Sequence, residues 1–343
     1  MPAERYFVEV PGGAEVVALA ELKRRGVGRA VGVPGGFIVE GRGAAARAAA
    51  ARTVLAVYLT LTFDVPRPKA LLGDATLRRL IGAVRGVGAG ARFSGLRLSA
   101  AGADSATFQR LAAQLAAAVG VEPDPADGDL LVRVRPAAAA SGWEVLVRLS
   151  PRPASARTWR VCNRPGGLNA AVGAVMNELV GGGDGSAYLN LMCGSGTLLI
   201  ERALLGPAAR LVGFDLDPEA VACAGRNAAA AGVAGRCELL VGDVTDDRFV
   251  TLLGAAGGFD ALAVDAPWGD AVGAHAANRR LYPRLLEAAA RLATPGATLC
   301  LLSHEVKLTR QVVAGQSAWT VARELQVAHG GHNPLLLALT RRT

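Results

Sequence analysis

The sequence predicts an α/β protein whose carboxy-terminal half forms a parallel, doubly wound sheet, preceded by two smaller α+β modules. From Leu168 onward, near-continuous apolar strands alternate with helical stretches, which is typical of a parallel sheet covered on both faces. Before Ser150, shorter strands and helices recur in two successive cycles. The 343 residues are enough for two or three domains, each with its own core.

The first module is predicted over residues 1–65. A hairpin is expected around Pro34-Gly35-Gly36, because this turn sequence separates two apolar runs. The predicted elements are a strand at Arg5–Val10, a helix at Ala14–Arg24, strands at Ala30–Val33 and Gly36–Glu40, a helix at Ala44–Leu55 and a strand at Val57–Val65.

The second module is predicted over residues 66–150. Its longer helix begins after a predicted N-cap at Asp104-Ser105. The predicted elements are a helix at Thr76–Val84, a strand at Arg92–Ser99, a helix ending at Val119, and strands at Leu130–Arg135 and Glu144–Leu149. This order indicates helices packed on a sheet rather than a barrel. The proline-containing residues 151–166 then predict an inter-domain linker.

Residues 167–343 are predicted to form one domain. It opens with a helix at Asn169–Val180 and closes with an antiparallel edge hairpin at Gln326–Thr340. Between them, apolar strands are predicted at Ala187–Met192, Arg210–Asp215, Cys237–Val241, Asp260–Val264 and Thr298–Ser303.

The composition indicates a globular protein without a membrane span. Hydrophobic residues make up 51% of the chain and charged residues 19%, and alanine and glycine account for much of the apolar share. No apolar stretch approaches the length of about 18 residues that a bilayer span requires. The amino terminus lacks the apolar segment of a signal peptide. We therefore expect a cytoplasmic protein.

The cysteines and histidines predict neither a disulfide framework nor a metal site. The five cysteines are odd in number and include no CxxC pair. His329 and His332 flank two glycines, which favours a surface hairpin over a metal site. Cys193 is predicted to be a packing residue, because no base lies near it in sequence. A structural role is expected for His304.

The net charge of +8 is concentrated in the first half of the chain. Residues 1–155 contain 20 Lys and Arg against 13 Asp and Glu, and no acidic residue lies between Glu144 and Glu178. Because an arginine can neutralise a phosphate and release counterions, this stretch predicts a nucleic-acid contact. A solvated basic linker is the alternative. The predicted contact residues are Arg152, Arg157, Arg160 and Arg164, which follow Arg148.

A glycine-rich loop follows the first strand of the carboxy-terminal domain. Gly194 and Gly196 allow a sharp turn and let the backbone approach a ligand closely. Such a loop alone also suits a dinucleotide or no ligand. The predicted ligand-binding residues in the loop and at the end of its strand are Asn190, Met192, Cys193, Gly194, Ser195 and Gly196.

Carboxylates end the next two strands at the same edge of the predicted sheet. Asp215 and Leu216 follow the second strand, where a carboxylate can accept from both ribose hydroxyls of an adenosine-containing cofactor. Asp243 and Val244 follow the third, where a carboxylate could accept from an adenine amino group. Helix N-caps and turns are the alternative roles. A glycine-rich loop and two carboxylates thus end three strands at the same edge of the predicted sheet, and this pattern favours cofactor binding.

The fourth strand ends in Asp265-Ala266-Pro267-Trp268. An amino group on an aromatic ring is a poor nucleophile, because its lone pair is delocalised. Hydrogen bonds from this group to Asp265 and to a carbonyl near Pro267 would favour a reactive geometry, while Trp268 would stack on the base. These three residues are therefore the predicted catalytic residues.

These motifs resemble class I methyltransferases that act on exocyclic amines. The stretch Met192–Glu201 is similar to the glycine-rich loop of guanine-N2 RNA methyltransferases that carry a THUMP domain. The resemblance extends over nearly the whole chain, is most specific over residues 188–269, and is strongest to the tRNA enzymes that form N2-methylguanosine in the acceptor stem.

The resemblance implies a ferredoxin-like domain at 1–65, a THUMP RNA-binding domain at 66–150, the Arg-rich linker and a Rossmann-like methyltransferase domain at 167–343. It also implies S-adenosylmethionine as cofactor and tRNA as partner. Separately from the resemblance, we expect a monomer without a metal. This chain departs from the family in having Asn190 where Asp is usual, Ala266 where Pro or Leu is usual, and Trp268 where Tyr or Phe is usual.

Several alternatives remain open. The methyl acceptor could be a ribosomal guanine, another tRNA position or an adenine amino group. A nicotinamide-dependent oxidoreductase is disfavoured, because no third glycine follows Gly196 in register. An RNA-binding protein with a degenerate catalytic half is the non-enzymatic alternative. Asn190 supports it, and the retained residues Asp215, Asp243, Asp265 and Pro267 argue against it.

Overall fold

The computed structural model describes residues 4–137, 141–267, 275–328 and 331–343. The chain divides into two compact units. The first unit comprises the residues up to Val10 together with Ala18–Ser155, and the second comprises Pro11–Val17 together with Ala156–Thr343. No helix in the described ranges is both long and apolar enough to cross a membrane.

The first unit is built on an eight-stranded sheet. Its strands are β1 (Arg5–Glu9), β2 (Ala30–Val33), β3 (Gly36–Glu40), β4 (Ala56–Phe63), β5 (Gly95–Ser99), β6 (Glu122–Pro123), β7 (Leu130–Pro136) and β8 (Trp143–Arg148). The spatial order is β2-β3-β1-β4-β8-β7-β5-β6. Both predicted modules contribute strands to this one sheet, so the boundary between 1–65 and 66–150 stays a prediction.

Helices cover one face of this sheet. They are α1 (Glu15–Arg24), α2 (Ala44–Ala49), α3 (Asp74–Gly90) and α4 (Ala106–Val119). Leu80 of α3 and Leu111 of α4 are fully buried in one apolar cluster, and Leu22 of α1 is fully buried in a second. The order of strands and helices predicted from the sequence agrees with these elements except for the two-residue strand β6, which was not predicted, and α3 is longer than predicted.

Helix α2 is shorter than the predicted helix at Ala44–Leu55. It ends at Ala49 because the following backbone is bound by a buried carboxylate. Glu21 accepts hydrogen bonds from the backbone N–H groups of Arg52 at 2.8 Å and Thr53 at 2.9 Å. These two N–H groups are therefore satisfied by a tertiary contact instead of by a helix.

The second unit is built on a seven-stranded sheet. Its strands are β9 (Ala187–Leu191), β10 (Arg210–Asp215), β11 (Glu238–Val241), β12 (Phe259–Asp265), β13 (Ala293–Ser303), β14 (Trp319–Gln326) and β15 (Leu335–Arg341), in the order β11-β10-β9-β12-β13-β15-β14. Strands β9 to β13 are parallel, and β14 and β15 add an antiparallel edge. The predicted α/β fold class is confirmed, although the edge hairpin begins at Trp319 rather than at Gln326.

Helices cover both faces of the second sheet. They are α5 (Ala170–Val180), α6 (Thr197–Leu205), α7 (Pro218–Ala230), α8 (Asp247–Ala255), α9 (His275–Leu292) and α10 (Val306–Ala314). Alternate strand residues belong to different apolar clusters: Leu189 and Leu262 to one, Tyr188 and Ala261 to the other. Two buried faces explain why the strands are nearly continuous apolar runs.

The strand order reverses between β9 and β12. From β9 the chain continues to β10 and β11 on one side, and then returns to β12 on the other side of β9. In open α/β sheets, such a reversal leaves a crevice outside the carboxyl ends of the two central strands. The loops after Leu191 and Asp265 therefore face a common space.

The expectation that the cysteines form no disulfide is wrong. Cys162 and Cys223 are joined by a disulfide whose partners lie 61 residues apart in sequence. Cys162 lies in the predicted linker and Cys223 lies on α7. The other three cysteines, Cys193, Cys237 and Cys300, are free thiols.

Candidate active site

A cavity of about 360 Å³ opens at the crevice between β9 and β12. Its walls come from the loops after β9, β10 and β12, from the start of α6 and from the end of the predicted linker. The residues that line it are Arg164, Pro165, Gly166, Gly167, Leu168, Asn190, Met192, Cys193, Gly194, Ser195, Thr197, Leu198, Asp215, Ala220, Asp265, Ala266 and Pro267. The ends of β9, β10 and β12 therefore meet at this cavity, whereas Asp243 and Val244, which follow β11, do not line it.

The loop after β9 has an unusual backbone. Met192 has a φ of 53°, and it is the one residue other than glycine with positive φ in the described ranges. Such strain at a cavity wall is typical of functional loops. Gly194 has a φ of 54°, and a Cβ there would meet no atom within 4 Å, so its open side is available to a ligand. A Cβ on Gly196 would instead lie 2.9 Å from the Cβ of Ala224.

Asp215 connects the ends of three neighbouring strands. Its carboxylate accepts from the N–H of Gly194 at 2.8 Å and from the N–H of Asp217 at 3.1 Å. Its backbone carbonyl accepts from the N–H of Gly242 at 2.9 Å. The side chain thus shapes the glycine-rich loop, and the residue also lines the cavity.

Asn190 offers a buried acceptor to the cavity. Only 1% of the residue is exposed. Its Nδ2 donates to the carbonyls of Leu191 and Ala263, both at 3.2 Å, which fixes the orientation of the amide. The Oδ1 atom is buried and has no hydrogen bond among the described residues. Because an unpaired buried acceptor costs about 1–3 kcal/mol, a donor from a ligand would be favoured here.

Cys193 is packed against the protein interior. Its residue is 7% exposed, and burial raises the pKa of its thiol, followed by a smaller effect from the negative charge of Asp215. A thiol that resists ionisation is a weak nucleophile. The packing role predicted from the sequence therefore agrees with the structure.

Four predicted cofactor residues do not line this cavity. They are Gly196, Leu216, Asp243 and Val244, all within the described ranges. The Oδ1 atom of Asp243 accepts from the N–H of Thr245 at 2.7 Å and from its hydroxyl at 2.8 Å, so the carboxylate closes a turn. Leu216 is 66% exposed, whereas Val244 is buried in the core. Their assignment as cofactor contacts stays a prediction.

The peptide of Pro267 is held from α9. Its carbonyl accepts from Asn278 Nδ2 and from the Tyr282 hydroxyl, both at 3.2 Å. Two donors occupy both lone pairs of this oxygen, so it is a poor acceptor for a substrate. The Ala266 carbonyl, in contrast, accepts no hydrogen bond from the described residues. Trp268 lies outside the described residues.

A buried hydroxyl chain orients Tyr282. Ser303 Oγ accepts from the N–H of Glu305 at 3.1 Å and from Thr309 Oγ1 at 2.9 Å. Its own proton is then directed to the Tyr282 oxygen at 3.0 Å. Burial, the largest influence, raises the pKa of Tyr282 to about 12. The phenol therefore keeps its proton and donates it to the carbonyl of Pro267.

Three of the four predicted RNA-binding arginines contact protein groups. Arg157 forms an ion pair with Glu201, whose side chain is fully buried. Arg160 donates to the Leu168 carbonyl and to Thr197, while Arg164 lines the cavity and pairs with Asp217. Arg152 is exposed. An RNA-binding role for these residues stays a prediction, and Arg152 has the most accessible side chain.

Asn227 of α7 anchors the linker. Its Oδ1 accepts from the N–H groups of Val161 at 3.0 Å and Cys162 at 2.8 Å. Its Nδ2 donates to the carbonyls of Cys162 at 2.9 Å and Ser195 at 3.0 Å. One buried amide thus joins the linker to the glycine-rich loop. The disulfide between Cys162 and Cys223 adds a covalent link to the same helix.

Sequence reasoning missed four residues that position the site. Glu201, Asn227, Asn278 and Tyr282 lie on helices, and each reaches a partner that is distant in sequence. The signal available for them was weak: a polar residue in an apolar helical stretch, as with Glu201.

The cavity fits S-adenosylmethionine in its chemistry. Gly194 leaves open space for close approach of the ligand to the backbone. Asn190 provides a buried acceptor, and Asp215 provides a carboxylate at the end of the second strand. Among the described residues, no group of three or more His, Cys, Asp or Glu side chains could hold a metal ion.

Comparisons with known proteins agree with this geometry. Residues 157–334 match the family model UPF0020, described as RMKL-like, methyltransferase domain. A tRNA (guanine(6)-N2)-methyltransferase from Archaeoglobus fulgidus is 26% identical over 200 residues, which cover 51% of this chain and 49% of the relative. The chain therefore spans about half the length of that relative.

Two solved structures share the fold over almost their full lengths. TrmN from Thermus thermophilus has a TM-score of 0.75 and 22% identity, with 98% of this chain and 99% of that chain covered. SMU.472, a putative methyltransferase complexed with SAH, has a TM-score of 0.68 and 15% identity, with 98% of each chain covered. The site geometry, the strand order and the matched region lead to one conclusion: the chain belongs to the RMKL-like methyltransferase domain family.

Proposed function

We propose that this protein is an S-adenosylmethionine-dependent tRNA guanine-N2-methyltransferase that forms N2-methylguanosine in the acceptor stem. The observation that carries the proposal is one cavity that joins the glycine-rich loop at Gly194 to the acceptor group at Asp265. A methyltransferase needs both functions in one place, because the methyl donor and the amino group must meet in line.

Residues on the β9 and β10 side of the cavity would hold the cofactor. The backbone at Gly194 and the carboxylate of Asp215 are assigned to it, and the Oδ1 of Asn190 is assigned to one of its donors. When bound, S-adenosylmethionine supplies a methyl group made electrophilic by a positively charged sulfur. The chain itself contributes binding, orientation and exclusion of water.

Residues after β12 would orient the methyl acceptor. An exocyclic amine carries two N–H groups. Asp265 and Ala266 both line the cavity, and we assign the Asp265 carboxylate and the Ala266 carbonyl as the two acceptors. Accepting both hydrogens draws the nitrogen lone pair out of conjugation and directs it into the cavity. Asn278 and Tyr282 keep the intervening peptide in place through Pro267. Trp268 remains the predicted stacking surface for the base.

The choice of tRNA guanine rests on the relative and on charge. The Archaeoglobus fulgidus relative is named for guanine N2 methylation of tRNA. The net charge of +8 also suits a polyanionic substrate. A ribosomal guanine, or another exocyclic amine of a nucleic acid, would use the same acceptors and is the alternative. A cytoplasmic monomer is part of the same proposal.

The proposal is tested by incubating the protein with radiolabelled S-adenosylmethionine and unmodified tRNA transcripts, and then identifying the labelled nucleoside by mass spectrometry. We expect N2-methylguanosine within the acceptor stem. Label in another nucleoside would overturn the proposed substrate but would leave methyl transfer as the reaction. An absence of label on tRNA, with cofactor binding intact, would favour ribosomal RNA as the substrate or the RNA-binding alternative.

A further inference from the structure

The outer surface of α9 is strongly basic at its amino-terminal end. Arg279, Arg280 and Arg284 are exposed, and no acidic residue occurs in the sequence from His275 to Leu286. We call these three arginines the α9 basic surface. They lie on the helix that follows β12, and therefore at the same edge of the sheet as the carboxyl end of that strand.

Protein groups leave most of this charge unneutralised. Among the described residues, Arg279 and Arg280 form no ion pair and no hydrogen bond, whereas Arg284 donates to the backbone carbonyl of Thr245. This absence contrasts with the linker, where Arg157 and Arg164 pair with carboxylates. Exposed arginines without carboxylate partners keep their full charge for a ligand.

Grooves flank the helix on both sides. A groove of about 560 Å³ is lined by Thr245, Ala276, Ala277, Arg280, Leu281 and Arg284, with no acidic residue in its lining. The groove on the other side, of about 750 Å³, contains Arg279 and Lys307 but also Glu287 and Glu305. Glu305 already accepts from Asn278 and pairs with His275. Arg280 and Arg284 therefore face a groove without acidic residues, and Arg279 extends the α9 basic surface to the other side of the helix.

The α9 basic surface has a fixed position relative to the cavity. Asn278 and Tyr282, which alternate with the arginines along the helix, hold the carbonyl of Pro267. With a rise of about 1.5 Å per residue, Arg279 and Arg280 lie within about 3 Å of Asn278 along the helix axis. The buried face of α9 thus donates hydrogen bonds to the segment that follows Asp265, while its exposed face carries the arginines.

We propose that the α9 basic surface binds the phosphates of the substrate RNA strand beside the nucleotide whose base enters the cavity. The inference rests on the proposed function and adds to it a contact site on the catalytic unit. An enzyme that modifies a base must draw that base out of its stack, so the neighbouring phosphates come to the mouth of the pocket. Arginine suits them, because its planar guanidinium can form two hydrogen bonds with a phosphate.

The test compares the parent protein with Arg279→Ala, Arg280→Ala and the double variant. The matched control is Arg323→Ala, an exposed arginine on edge strand β14. Binding of an unmodified tRNA transcript is measured by fluorescence anisotropy over a range of salt concentrations. Affinity for S-adenosylmethionine is measured by calorimetry on the same samples, as a readout that does not depend on RNA.

We expect the double variant to bind tRNA on the order of tenfold more weakly, with the slope of log K against log salt reduced by about 1 for each arginine removed. Cofactor affinity should not change, and the control should match the parent. A parent that methylates tRNA, with a double variant of unchanged affinity and slope, would overturn only this inference. A parent that binds cofactor but neither binds nor methylates RNA would overturn the proposed function and this inference together.

Discussion

The backbone N–H of Gly194 donates a 2.8 Å hydrogen bond to the carboxylate of Asp215. The bond joins the loop after β9 to the end of the neighbouring strand β10, and the second oxygen of the same carboxylate accepts from Asp217. Asp215 therefore both shapes the glycine-rich loop and lines the cavity. Loss of this side chain should weaken cofactor binding in two ways, because it removes a hydrogen bond that shapes the glycine-rich loop and a residue that lines the cavity.

Asp215→Ala should weaken S-adenosylmethionine binding. A hydrogen bond to a charged group contributes about 2 kcal/mol, which corresponds to an increase in Kd of about 30-fold. Calorimetric titration measures this Kd directly. The control is Asp247→Ala, because the Asp247 side chain is 81% exposed, pairs with Arg291 and lies outside the cavity lining. Equal cofactor affinity in Asp215→Ala and the parent would contradict the assignment.

Tyr282→Phe should slow methyl transfer without changing cofactor affinity. The variant loses the phenol donor to the carbonyl of Pro267 but keeps the ring. A net loss of about 1 kcal/mol predicts a kcat about fivefold lower. Because burial raises the pKa of Tyr282 to about 12, the phenol stays protonated below that pH, so the deficit should be the same at pH 7 and pH 9. Tyr6→Phe, on the first unit, is the matched control.

The Tyr282 experiment separates positioning from general stability. A merely structural role would lower the unfolding midpoint and leave kcat unchanged at temperatures where the protein is folded. A kcat equal to that of the parent in such folded samples would therefore refute the positioning role.

The disulfide between Cys162 and Cys223 predicts a thiol count. Protein denatured without reductant should titrate about three thiols with a chromogenic disulfide reagent, corresponding to Cys193, Cys237 and Cys300. After reduction, all five cysteines should react. Five thiols before reduction, in protein purified without reductant, would show that the bond does not form.

Asn190→Asp should destabilise the fold, although Asp is usual at this position in the resembled family. The Nδ2 of Asn190 donates to two carbonyls. A carboxylate would place an acceptor oxygen where this donor lies, close to both carbonyl oxygens. The expected loss in free energy of unfolding is about 2 kcal/mol, measured by urea denaturation. Asn177→Asp is not a suitable control, because this amide is also buried and bonded. Asn163→Asp is a suitable control, because Asn163 is exposed. A stabilised Asn190→Asp protein would contradict this account.

The sequence predicted the second sheet well because its signals are local. Each strand from β9 to β13 is an apolar run, and most end in a glycine or an aspartate that begins the next loop. The strand ends that face the crevice could therefore be identified, and Asn190, Gly194, Asp215 and Asp265 do meet in one cavity.

Tertiary partners explain what the sequence did not predict. The predicted helix to Leu55 ends early because Glu21, more than 30 residues away, accepts from Arg52 and Thr53. The arginine-rich linker was identified from its charge, but charge alone does not reveal that Arg157 pairs with buried Glu201 on α6. The disulfide and the partners of Pro267 likewise depend on contacts between distant segments.

The most direct test of the central claim is methyl transfer by Asp265→Ala. The change removes both acceptor oxygens and the negative charge that would hold the amino group. Single-turnover transfer from radiolabelled S-adenosylmethionine to tRNA is measured together with the cofactor Kd. We predict a rate at least about 100-fold below that of the parent with an unchanged Kd, as for loss of one oriented polar group in an active site. Transfer at the parent rate would contradict the assignment of Asp265 as the residue that receives the acceptor amine.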